Sequence, residues 1–217
     1  MRKLIAGIME FRRLRRADYE ETFAQLALGQ RPDVLFIACS DSRVAVNVFA
    51  STDPGDMFVV RNVGNLVPPS DAEGRSVGDE SEASAIEFAL GRLAVKHIIV
   101  CGHSDCGAIT ALCAGRGAIA EPNLRSWLRH AEPALEAARK LGKEDVNTVS
   151  KLNVLRQLEH IAGYPVVKSR VEQGELQLHG LWFDIRHADV YFFERSTGEF
   201  VLIDDEEGAR VLQRLKG

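Results

Sequence analysis

The chain has 217 residues, 46% of them apolar and 27% charged, with a formal net charge of −4. That allows one large domain with a substantial core, while the interspersed charge, with no basic block, argues against nucleic acid as a partner. No apolar run approaches the roughly 20 residues that cross a bilayer, so no membrane role is expected.

Met1 to Glu10 has a basic lead but too short an apolar stretch for a secretory signal. Leu4, Ile5, Ile8, Met9 and Phe11 instead recur near helical period, continued less regularly by Tyr19, Phe23, Leu26 and Leu28. Residues 1–29 therefore read as a helical arm whose apolar face has no evident local partner, which points to a second subunit. A strand is predicted over 33–39. Asp53-Pro54-Gly55-Asp56 marks a turn, and a second strand follows over 57–62. Residues 63–78, with Gly64, Pro68, Pro69 and Gly74, form a loop. A helix over 80–94 follows, with Ala83, Ile86, Leu90 and Leu93 facing the core. A strand at 97–102 leads into a helix opening near Cys106. Helices are predicted over 123–141, 144–162 and from Pro165 to about Gln173. Leu176 to Ile185 alternates like a strand. Val190–Glu194 and Glu199–Ile203 flank Ser196-Thr197-Gly198 as a hairpin, and 206–215 is helical. Strand–helix alternation in the first half implies an α/β fold, a parallel sheet with helices on its faces. With no repeat or linker, residues 1–217 read as a single domain.

The four cysteines are Cys39, Cys101, Cys106 and Cys113. In a chain this long they are no disulfide framework, and metal-binding thiolates in a reducing cytoplasm are the better reading. Cys101, inside a strand, and Cys113, inside a helix, are expected to be core thiols. Cys39 and the pair His103 and Cys106 each follow a short apolar strand. In an open parallel sheet, ligands bind beyond the carboxyl ends of the strands. Two cysteines and one histidine delivered there make a three-ligand zinc site with one open position, the pattern of a catalytic rather than a structural zinc. The helix start after Cys106 and the nearby metal both favour its thiolate. Gly102 and Gly107 are expected to let the backbone turn sharply and approach a ligand. Asp41 and Arg43 lie two residues apart at the first strand end, where a carboxylate held by an arginine fork can orient a metal-bound water.

Cys39-Ser40-Asp41-Ser42-Arg43, Arg61-Asn62-Val63-Gly64-Asn65 and Gly102-His103-Ser104-Asp105-Cys106-Gly107, in this order and spacing, resemble the β-class carbonic anhydrases. The likeness runs from about Gln30 to Ala114 and returns at His179–Asp184. It implies one zinc per chain on Cys39, His103 and Cys106, and an Asp41–Arg43 dyad. It implies reversible hydration of carbon dioxide to bicarbonate and a proton, a mostly parallel sheet with an antiparallel edge strand, and a homodimer or homotetramer. It places Phe58, Val63 and Phe88 on the walls of the substrate pocket, some across a subunit boundary, with Gln30 and the Gly107 N–H as hydrogen-bond donors to substrate. Some members bind bicarbonate at a regulatory site built from Trp, Arg and Tyr; the matching positions here are Phe36, Arg61 and Phe183. With two polar handles missing and Gln30 present, the chain resembles the plant-type, constitutively open group. Competing readings are a carbonyl sulfide or carbon disulfide hydrolase on the same scaffold, and a non-catalytic zinc-binding member. A nucleotide-binding module is disfavoured, because the G-x-G-x-x-G spacing is missing.

Overall fold

The structure is a computed structural model describing residues 1–215; residues 216 and 217 of the predicted 1–217 domain lie outside the described residues. Its strands are β1 (Val34–Cys39), β2 (Met57–Asn62), β3 (His97–His103), β4 (Gln177–Asp184), β5 (Asp189–Glu194) and β6 (Glu199–Leu202). They form one sheet in the order β2-β1-β3-β4-β5-β6. Neighbours from β2 to β4 pair in parallel, and β5 is antiparallel to both β4 and β6. The expected antiparallel edge is thus a hairpin, two strands wide. β1 reads as an unbroken apolar run because both of its faces are buried.

The helices are α1 (Arg2–Glu10), α2 (Arg16–Leu26), α3 (Val46–Phe49), α4 (Ser81–Gly91), α5 (Gly107–Cys113), α6 (Pro122–Trp127), α7 (Glu132–Lys140), α8 (Val146–Ala162), α9 (Pro165–Glu172) and α10 (Asp205–Leu215). The single helix predicted over 123–141 is broken by a 3₁₀ turn at Leu128–Ala131. Pro133 lacks an N–H and would clash with a preceding turn, so it opens α7 rather than continuing α6. α4 stops at Gly91, three residues short of expectation, and Ala94 turns the chain toward β3 with φ +54°. α3 was not predicted, since four residues are too short to show a period. Among the described residues no helix is long and apolar enough to cross a membrane.

Leu35 and Ile37 of β1 and Ile98 and Val100 of β3 pack with Ile86, Leu90, Leu158 and Ile161 from α4 and α8. A second cluster joins Cys39, Leu66 and Cys106 to Ile109, Leu112, Leu128 and Leu135. Phe36, Ala38, Cys101 and Phe183 lie on the other face of the sheet with Val44 and Val46. α8 comes unusually close to the sheet. A Cβ at Gly102 would meet Val154 Cγ2 at 2.7 Å, and one at Gly180 would meet Val154 Cγ1 at 3.1 Å. Gly102 therefore does not turn the chain; it lies inside β3 and admits α8. No α1 residue is buried, and Leu4, Ile8 and Met9 are 60%, 55% and 66% exposed.

Candidate metal centre

Cys39 ends β1 and His103 ends β3, and Cys106 caps the start of α5. The topology places β1 and β3 side by side and parallel, so their carboxyl ends deliver the three residues to one spot. Their ligand atoms lie within 4.8 Å of one another, and all three residues are buried. Tetrahedral zinc with Zn–S near 2.3 Å would set two sulfurs about 3.8 Å apart, which this spacing accommodates.

The turn that carries His103 and Cys106 is locked. Asp105 adopts φ +51°, its N–H donates to Asn147 Oδ1 at 2.9 Å, and its carbonyl accepts from Arg43 at 3.0 Å. His103 Nδ1 lies 2.9 Å from the Ser104 carbonyl, an acceptor, which fixes Nδ1 as the protonated nitrogen. That leaves Nε2 as a lone-pair donor. It is fully buried and has no hydrogen-bond partner among the described residues. An orphan of this kind costs about 1–3 kcal/mol unless something binds it. Two soft sulfurs beside it make a metal the fitting occupant.

The two thiols polarise each other. Donation from Cys106, helped by the Gly64 N–H, pulls the Cys39 thiol well down against the opposing effect of burial. The Cys106 thiol is pushed far up by that donation to Cys39 and by burial, outweighing the α5 amides that favour its thiolate. The helix start alone therefore does not outweigh burial at Cys106, in keeping with the expectation that helix start and metal act together. Cys101 is buried and pushed up to about 12 by desolvation, as a core thiol should be, whereas Cys113 is only half-buried.

Arg43 grips Asp41 through Nε to Oδ1 at 2.9 Å and Nη2 to Oδ2 at 2.7 Å, and its own N–H adds a bond to Oδ1 at 3.0 Å. These bonds hold the Asp41 carboxyl far below the usual carboxylate range. Asp41 is not part of the three-ligand cluster.

A family model described as carbonic anhydrase matches residues 34–190 of this chain. The chain belongs to the β-class carbonic anhydrases. A carbonic anhydrase of Synechococcus elongatus is 38% identical over 215 residues, covering 94% of this chain and 76% of the relative. One from Pseudomonas aeruginosa is 35% identical, covering 98% and 96%. Among solved structures, the β-carbonic anhydrase CcaA superposes with a TM-score of 0.85 at 36% identity, over 93% of this chain and 98% of that one. One described as a tetrameric β-carbonic anhydrase of Sordaria macrospora gives 0.74 at 28% identity, over 88% and 95%.

Of the other β-carbonic anhydrase positions singled out from sequence, Val63 and Gly107 border the centre. Val63 directly follows Asn62, the register partner of Cys39, and Gly107 directly follows Cys106. Gly107 leaves open space where a Cβ would stand. Phe58 and Phe88 stack on each other at 5.7 Å but lie toward the other end of the sheet. Phe58 is in register with Leu35, four residues before Cys39, or about 13 Å along a strand. Gln30 precedes β1 altogether and is exposed. Within one chain these three are not brought to the metal centre.

Sequence reasoning missed Gly64 as a hydrogen-bond donor to Cys39, and Ser150, Asn153 and Gln157 on α8. Gly64 N–H lies 3.4 Å from Cys39 Sγ. The three polar residues at spacings of three and four sit among Val149, Val154, Leu158 and Ile161. That interruption of an apolar helical face was the available signal.

Proposed function

We propose that this chain is a zinc-dependent carbonic anhydrase of the plant-like subgroup, interconverting carbon dioxide and bicarbonate plus a proton in the cytoplasm. The observation that carries this is the buried Cys39–His103–Cys106 cluster beside an aspartate whose two oxygens are both held by Arg43. A zinc ion held there supplies a water of pKa about 7, and hence a nucleophile at neutral pH. Asp41, kept ionised by Arg43, is a hydrogen-bond acceptor only. It takes the proton of the attacking oxygen species as a hydrogen bond and so turns a lone pair toward the substrate carbon. Arg43 has the second task of keeping Asp41 off the open ligand position. Gly107 is the first residue of α5, and its N–H has no acceptor within the helix; in this reading it donates to a bicarbonate oxygen. Val63 supplies apolar wall for a small apolar gas.

Gln30, Phe58 and Phe88 enter this reading as residues lent to the centre of a neighbouring copy. The exposed arm of residues 1–29 holds that copy, making the active form a homodimer or homotetramer. The test is stopped-flow hydration of carbon dioxide, run beside carbonyl sulfide hydrolysis on one zinc-loaded sample. Fast hydration is expected. Hydrolysis of carbonyl sulfide without hydration would transfer the centre to that reaction, and zinc without either activity would make the chain a binding member.

A further inference from the structure

α8 turns three polar side chains into the core. Ser150, Asn153 and Gln157 are each at most 1% exposed. Burying such groups is costly unless every one finds a partner. Ser150 Oγ donates to the His103 carbonyl at 2.8 Å and accepts from Trp182 Nε1 at 3.2 Å. Gln157 Oε1 accepts from the Val67 N–H at 2.8 Å, while its Nε2 donates to Asn153 Oδ1 at 2.9 Å. With its oxygen so engaged, Asn153 presents Nδ2 to the Gly64 carbonyl at 3.1 Å. The same Gly64 aims its N–H at Cys39 Sγ, 3.4 Å away.

We propose that Asn153 is a positioning residue for the metal centre, holding Gly64 by its carbonyl so that the Gly64 N–H stays on the Cys39 sulfur. The proposal rests on the metal reading above. A hydrogen bond to a ligating thiolate draws electron density from sulfur, and such outer contacts orient a ligand and set how strongly it donates. Gly64 cannot hold the pose unaided. Its φ of +87° belongs to the left-handed region, and a Cβ there would meet Ala108 Cβ at 3.2 Å. The residue must be glycine, which is the most mobile backbone unit, so its fixation has to come from outside. α8 is the right source, because Val154, the next residue, is seated against Gly102 and Gly180. The chain of contacts is therefore rigid sheet, α8, Asn153, Gly64, Cys39. Ser150 makes the matching contact on the His103 side.

The test uses the full chain with Asn153→Ala, Asn153→Asp, which keeps the size but not the N–H, and Asn153→Ser, which keeps a short donor. Zinc affinity is measured by competition with a chelator, and the sulfur-to-metal charge-transfer band after replacement by cobalt(II). The Ala and Asp variants should bind zinc about 10- to 100-fold more weakly, the usual effect of losing an outer contact. Their band should move to lower energy, as a more electron-rich sulfur requires, and the Ser variant should lie between them and wild type. Thermal melting is followed in parallel. A variant that melts earlier yet keeps wild-type affinity and band position would show Asn153 to be a loop brace and overturn the proposal. If the Ala variant does not fold, cadmium-113 NMR of the wild type and the Asn153→Asp variant decides. Coupling between the Gly64 amide proton and the metal through Cys39 that is present in the wild type and weakened in the variant supports the proposal; coupling absent from the wild type or unchanged in the variant overturns it. A wild-type protein with no thiolate-to-cobalt band would instead overturn the metal reading itself.

Discussion

Arg43 binds Asp41 at both carboxylate oxygens and, through the same Nη2, the carbonyl of Asp105. One guanidinium thus joins the segment two residues past Cys39 to the residue just before Cys106. The two ligand-bearing turns are held in register by a side chain that is not a ligand. Only an arginine can do this, since a lysine has no planar fork to span the carboxylate and still reach a third acceptor.

Removing that fork should uncouple the chemistry from metal binding. Arg43→Ala and Asp41→Asn are expected to lower carbon dioxide hydration by about 100-fold or more, the range for losing a positioned proton-handling group. Zinc content should stay near one per chain. Stopped-flow rates with metal analysis on the same samples check this. Wild-type rates in both variants would leave the pair a structural brace.

Cys39→Ser and Cys106→Ser should behave oppositely. Each replaces a soft sulfur with a hydroxyl that ligates zinc poorly, so metal analysis should find most of the zinc gone. Full occupancy in both variants would remove these residues from the metal shell.

A pH-dependent contribution to stability is expected at the far edge of the sheet. Arg214 of α10 pairs with Glu194 of β5 and, at 3.2 Å, with Glu207. The Arg214 hydrogen bond pulls Glu194 from 4.5 down to about 2. A carboxylate depressed in the folded state stabilises above its unfolded pKa and loses that contribution as pH falls through the folded value. Arg214→Ala should therefore be slightly less stable at pH 7, the effect being small because the pair is exposed. The gap to wild type should close between pH 4.5 and 2. Urea titrations at three pH values measure it, and a gap that persisted at pH 2 would place the effect in packing instead.

The strand ends, and hence the Cys39–His103–Cys106 cluster, were legible from sequence because a buried parallel strand is a short apolar run. Cysteine and histidine immediately after such a run stand out. Helix boundaries were less legible where a local feature overrode periodicity, as at Pro133 and Ala94. Phe58 and Phe88 were singled out only by family likeness; their local pattern reads as core, and in this chain they lie away from the Cys39–His103–Cys106 cluster. The α8 clamp escaped for a different reason. Ser150, Asn153 and Gln157 act through backbone groups of segments 47 to 90 residues away, and no local signal encodes a partner at that distance.

Deleting residues 1–29 should separate assembly from metal binding. Leu4, Ile8 and Met9 are exposed here, and in the proposed assembly this apolar helix face lies against a neighbouring copy. The truncated chain is expected to run as a monomer in light scattering, to keep its zinc, and to lose most activity for want of Phe58, Phe88 and Gln30 from a partner. An active monomer would refute both the arm contact and the shared pocket.

Bicarbonate should not regulate this protein at a second site. Such a site would occupy the region of Phe36, Arg61 and Phe183. Here Phe36 and Phe183 are 2% and 7% exposed, and Phe49 stacks on Phe183 with centroids 4.6 Å apart. The Arg61 guanidinium is already committed, to the Cys39 carbonyl at 2.9 and 3.0 Å and to the Asp41 carbonyl at 2.7 Å. An anion entering would have to part stacked rings that offer no N–H or O–H, at a desolvation cost that nothing repays. It would also strip Arg61 from the backbone that bears Cys39. Bicarbonate is therefore expected to inhibit hydration only as a simple product, with no cooperativity in the rate curve. Asp41 should remain on Arg43 at pH 7.5, because both its oxygens are already held by the guanidinium and the Arg43 N–H. Cooperative bicarbonate inhibition, or a crystal structure with bicarbonate beside Arg61, would overturn this reading. Phe36→Trp with Phe183→Tyr supplies the converse, since restoring an indole N–H and a phenol O–H is the smallest change that gives an anion donors there.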